Sequence, residues 1–118
     1  MQNGFRSTLA TDQSGVTIVE LYGYLDAHTA PQLDDQLTQL MERGCVRVVI
    51  DFLELEYISS AGLGVFLAHI ESFRAAGGDL KLSNLSQRIR VIAEMLGFQY
   101  VFEIYPTRDD ACNAFTTC

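Results

Sequence analysis

VRVVIDFLELEYISSAGLGVFL, residues 46–67, is the stretch whose reading decides the fold. Its first part alternates Val46, Val48 and Ile50 in a run rich in β-branched residues, which predicts a strand interior to a sheet. Its last part opens a series, Leu63, Phe66, Leu67, Ile70 and Phe73, at the three- and four-residue spacings of one helix face. Gly77 and Gly78 end that helix. Residues 51–64 between them read as a polar connection from the strand into the helix, with Ser59 and Ser60 at the helix start.

The same grammar extends in both directions. Upstream, VTIVEL (residues 16–21) predicts a second strand, and Ala30, Leu33, Leu37, Leu40 and Met41 predict a helix between the two. Thr29 with Pro31 and Gln32 resembles a capping box with proline in the first turn, and Gly44 is the stop. Phe5–Thr11 is a weak strand able to pair as a hairpin through Gln13, Ser14 and Gly15. Downstream, Asp79–Ser83 predicts a strand, and Ser86 caps a helix with Ile89, Ile92, Ala93 and Leu96 on its apolar face, closed by Gly97. Residues 100–104 read as a short strand and residues 107–116 as a terminal helix carrying Ala111, Cys112, Ala114 and Phe115. Strands alternating with helices at these spacings predict an α/β fold with parallel pairs inside a mixed sheet.

A chain of 118 residues suits one domain, residues 1–118 with a core over about 5–116. Its 48% apolar content can fill a core of that size. The formal net charge of −7 has the wrong sign for a phosphate-backbone binder, so nucleic acid is a poor partner. Residues 1–60 carry nine acidic and three basic side chains, which places nearly all of the excess in that half; it reads as an ordinary solvated surface or, more sharply, as a field that helps select a basic protein partner. Cys45, Cys112 and Cys118 are odd in number and form no Cys-x-x-Cys pair, which points to a reducing compartment and to neither a disulfide framework nor a zinc site. With no leader pattern at the N-terminus and no apolar run near the ~20 residues that span a bilayer, a cytoplasmic chain without membrane attachment is expected.

Functional sites in open α/β sheets gather beyond the carboxyl ends of strands, where two connections fall. One is residues 23–31, with Asp26, His28 and Thr29; the other holds Ser59, Ser60, Ala61, Gly62 and Leu63. They are neighbours if their strands pair. Serines at a helix start are commonly N-caps; the functional alternative is phosphorylation, since free N–H groups and the dipole stabilise a phosphate there by about 0.3–1 kcal/mol. Asp26 reads equally as a helix cap or as a negative charge beside the serines, and His28 as a partner contact. Gly62 and Gly64 allow close backbone approach or serve helix packing, the latter being the preferred reading for Gly64. Gly62-Leu63-Gly64 lacks the third glycine of a dinucleotide fingerprint, and Ile58 stands where a nucleophile elbow around Ser60 needs glycine. His69 reads as bordering a helix surface, and neither histidine has metal-ligand spacing. No catalytic constellation and no metal site are expected.

GYLDAHTAP (residues 23–31), DFLELEYISSAGLGVFL (residues 51–67) and AAGGDLKLSNLS (residues 75–86) together resemble the STAS domain of bacterial anti-sigma-factor antagonists. The resemblance runs from about Val16 to Phe115 with strand and helix order matching. It implies an α/β fold in which a mixed four- to five-stranded sheet packs against about four helices. It also implies a non-enzymatic switch with no cofactor of its own. Such proteins bind an anti-sigma factor that is also a serine kinase of the histidine-kinase-like ATPase fold, and so free the sigma factor. That kinase, which uses the ATP, phosphorylates a serine at the start of the second helix, and a metal-dependent serine phosphatase reverses the step. The acceptor falls on Ser60, with Ser59 the runner-up; Asp26 and Gly62 match the family's loop aspartate and glycine. Asp26, His28, Thr29, Ser59, Ser60, Ala61, Gly62 and Leu63 form the expected partner-binding set. Ser59 stands where many members carry aspartate, Leu53 where serine is frequent, and Ala61 in place of Ser or Thr. The alternatives are a non-switching STAS scaffold or adaptor, with Ser60 only a helix cap, and a small-molecule or nucleotide-binding domain.

Overall fold

The computed structural model describes residues 4–116. Its elements are β1 (Phe5–Thr11), β2 (Thr17–Leu25), α1 (Ala30–Glu42), β3 (Arg47–Ile58), α2 (Ser60–Ala75), β4 (Asp79–Ser83), α3 (Gln87–Met95), a 3-10 turn (Phe98–Tyr100), β5 (Ile104–Tyr105) and α4 (Arg108–Thr116). The five strands lie side by side in chain order. β1 pairs antiparallel with β2 as the hairpin reading requires, and all later pairs are parallel. The mixed α/β sheet with four helices is therefore as the sequence and the family resemblance implied.

The pleat of β3 sets two layers. Val48, Ile50 and Phe52 face the large core with Leu33, Leu37 and Leu40 of α1, Leu63, Phe66 and Phe73 of α2, and Ile89 and Ala93 of α3. Val49 faces the other way and joins Val16, Ile18, Ala111 and Cys112 in a second, smaller cluster under α4. Such alternation is what a period of two along a strand produces when both faces are covered.

Several boundaries differ from the sequence reading. β3 does not stop near Asp51 but runs to Ile58, because two register shifts against β2 insert extra residues. Phe52, Leu55 and Ile58 then reach the core at three-residue spacing, a pattern that strand alternation does not announce. β2 likewise continues through Leu25, so the first connection begins at Asp26. Residues 100–104 are not a strand: Phe98 and Phe102 are both buried and stack with centroids 4.6 Å apart. A four-residue spacing on one side needs a turn, and the Phe102 N–H indeed donates to the Phe98 carbonyl at 2.8 Å. Only Ile104–Tyr105 pairs with β4. Leu67, expected on the core face of α2, and Leu96, expected on the apolar face of α3, are exposed. Cys45 and Cys112 are free thiols, and Cys118 lies outside the described residues. Among the described residues no helix is long and apolar enough to cross a membrane.

Candidate functional site

Parallel pairing brings the two singled-out connections together. Leu25 pairs with Ile58 at the end of the β2–β3 ladder, so Asp26 and Ser59 leave the sheet side by side. The Ser59 N–H donates to the Leu25 carbonyl at 3.0 Å, tying the second connection to the first. Gly62 completes the joint: a Cβ there would lie 2.6 Å from the Leu25 carbonyl oxygen, so only glycine lets the first turn of α2 rest on the end of β2.

The two serines take different roles. Ser59 is the N-cap, in extended conformation, and its hydroxyl accepts from the Gly62 N–H at 3.2 Å. Ser60 is the first helical residue and is exposed. Its hydroxyl is therefore not needed as the cap, and it sits at the positive end of a 16-residue helix.

The first connection is held by its own side chains. Asp26 Oδ1 accepts from the His28 N–H at 2.9 Å and from the Thr29 N–H at 3.2 Å. Thr29 Oγ1 accepts from the Asp26 N–H at 2.9 Å and donates to the Tyr24 carbonyl at 2.8 Å. Thr29 is the N-cap position of α1, but its side chain makes no capping bond, so the capping-box reading is corrected: the hydroxyl is committed backwards to the loop. Asp26 caps that loop rather than the helix. Proline does stand in the first turn of α1, as the sequence indicated.

Of the expected contact set, His28, Ser60 and Ala61 are exposed and Asp26 and Ser59 are half-buried. Thr29, Gly62 and Leu63 are buried, Leu63 completely, so they shape the surface from beneath and offer no contact area of their own. Beside Ser60 an open depression of about 440 Å³ runs between α1 and α2, lined by Ala30, Pro31 and Asp34 on one side and Ala61, Gly64, Val65 and Ala68 on the other. Sequence reasoning missed this groove because small residues carry little pattern signal. It also misread Gly64: a Cβ there would meet nothing within 4 Å, so this glycine keeps the groove open instead of packing tightly. His69 spans the two helices, with Nε2 2.7 Å from Asp34 Oδ1. Among the described residues no cluster of three or more His, Cys, Asp or Glu is placed to hold a metal ion.

A family model for the STAS domain matches residues 8–111. The chain is 37% identical over 103 residues to BtrV of Bordetella bronchiseptica, covering 87% of this chain and 89% of that one. It is 31% identical over 103 residues to the anti-sigma F factor antagonist of Paenibacillus polymyxa, covering 86% of each. Among solved structures, an anti-sigma factor antagonist from Mycobacterium paratuberculosis superposes with a TM-score of 0.87 at 26% identity, over 97% of this chain and 96% of that one.

Proposed function

This chain belongs to the STAS-domain family of anti-sigma-factor antagonists, and from that premise we propose that it is a phosphorylation-controlled partner switch acting through Ser60. In its non-phosphorylated form it binds a cytoplasmic anti-sigma factor that is also an ATP-using serine kinase of the histidine-kinase-like fold, and the sigma factor is freed. Phosphorylation of Ser60 by that kinase ends the interaction, and a metal-dependent serine phosphatase restores it. The protein itself is not an enzyme and needs no cofactor.

The observation that carries this reading is the division of labour between the two serines. Ser59 supplies the helix cap, which leaves the exposed Ser60 hydroxyl available for chemistry and argues against Ser60 as a mere cap. A phosphate at Ser60 would add about −1.5 to −2 charges next to free helix N–H groups, so the domain itself tolerates it. At an interface the same group brings repulsion, bulk and a desolvation cost. A penalty of about 3 kcal/mol lowers affinity more than a hundredfold, enough for a switch. The groove between α1 and α2, continuous with Ala61, is the surface whose docking the phosphate would oppose.

Phosphopeptide mapping after incubation with the cognate kinase and ATP tests this. Label is expected on Ser60, with Ser60→Ala binding the kinase constitutively and Ser60→Asp binding at least tenfold more weakly. Label on Ser59, or undiminished uptake by Ser60→Ala, would overturn the assignment.

A further inference from the structure

Exposed apolar surface is unevenly distributed over this molecule. Among the described residues nine large apolar or aromatic side chains are exposed, and five of them, Val91, Met95, Leu96, Tyr100 and Val101, fall within residues 91–101. Met95 at 81% and Tyr100 at 86% are the two most exposed of the nine. Single exposed apolar side chains are ordinary, but five within eleven consecutive residues, on one helix and the turn after it, are more than single scattered ones. It is remote from Ser60. Arg74, in the last turn of α2, donates from Nη2 to the Val101 carbonyl at 2.7 Å. The patch therefore adjoins the end of α2 opposite Ser60, about 20 Å away at 1.5 Å rise per residue.

The charges around the patch indicate its occupant. At 100° per residue, Arg88, Val91 and Met95 share the exposed stripe of α3 turned away from the buried Ile89 and Ala93. Arg90 and Glu94 lie together on one flank of that stripe. When two such helices meet antiparallel about a two-fold axis, each flank faces the same flank of the copy in reversed order. Arg90 of each copy then faces Glu94 of the other, Val91 lies near the axis, and Met95 of each copy packs along the aliphatic stem of the other's Arg88. A uniformly acidic or basic partner would instead set one of these charges against its like. Self-complementarity of this kind is what an isologous contact requires.

We propose that α3 and the 3-10 turn after it form a self-association surface, through which two copies of this chain pair and leave both Ser60 sites free. Sedimentation of the full chain over a concentration series tests it. The wild type is expected to reach twice the monomer mass, and Arg90→Glu or Glu94→Arg alone to weaken association about tenfold or more. An equimolar mixture of those two variants is expected to recover association, because an all-acidic flank then faces an all-basic one. Met95→Lys, at a position too exposed to disturb folding, is expected to abolish pairing with an unchanged circular dichroism spectrum. A wild type monomeric at millimolar concentration would overturn the proposal. So would charge variants that pair as well alone as mixed.

Discussion

A methyl group added at Gly62 would lie 2.6 Å from the Leu25 carbonyl oxygen and 2.9 Å from the Leu25 side chain, whereas one added at Gly64 would meet nothing within 4 Å. The two glycines sit in the same turn of α2, yet substitution should act on them with opposite sign. Gly62→Ala forces the helix start off the end of β2 and is expected to cost about 1–3 kcal/mol. Gly64→Ala gains helix propensity at no steric cost and is expected to stabilise by up to about 1 kcal/mol. Urea unfolding midpoints check both, and a stabilising Gly62→Ala would show that the close approach is not constraining. The residue scale is also where sequence reading reached its limit at the site. The motif located Ser59 and Ser60, but which of them caps depended on the backbone angle with which β3 delivers its last residue.

Helix α4 is fastened to its side of the sheet by charge as well as by the small apolar cluster. Arg108, in its first turn, donates from Nε to Asp51 Oδ2 at 3.0 Å and from Nη2 to the same oxygen at 2.7 Å, and it also contacts Glu20. Asp51 is only 3% exposed and further accepts from the Leu53 N–H and the Asn84 amide. Removing the guanidinium leaves a buried carboxylate short of a partner. Arg108→Met is therefore expected to cost about 1–3 kcal/mol and to speed hydrogen exchange in α4 well beyond the change in α2. Equal acceleration in both helices would mean that α4 is not separately tethered. The terminal helix itself was legible from Ala111, Cys112 and Phe115. Its anchoring was not, since Arg108 and Asp51 are 57 residues apart and no local pattern links them.

Over the whole molecule the acidic excess is partly tied down. The Thr8 hydroxyl, followed by Arg108, holds the Glu20 carboxyl below its ordinary value. Lys81, followed by the Tyr105 hydroxyl, does the same for Glu103. A carboxyl depressed on folding contributes its stability in full above its unfolded value and loses it as pH falls through its folded value. The stability advantage of wild type over Thr8→Val should thus be constant from pH 8 to about 5 and shrink below about 4.5. Paired urea titrations at pH 7 and pH 3 check this, and an advantage that grows on acidification would refute the linkage. By itself the sequence determined the α/β class, the order of the major elements, the helix stops at Gly44 and Gly97, and the two connections that hold the candidate site. These follow from periodicity, capping and glycine chemistry, all of which act within a few residues. Tertiary structure alone decided the extension of β3 through its bulges, the groove between α1 and α2, the separate roles of Ser59 and Ser60, and the anchoring of α4. Each of those depends on contacts between segments distant in sequence, where packing space and charge pairing, and not local preference, set the outcome.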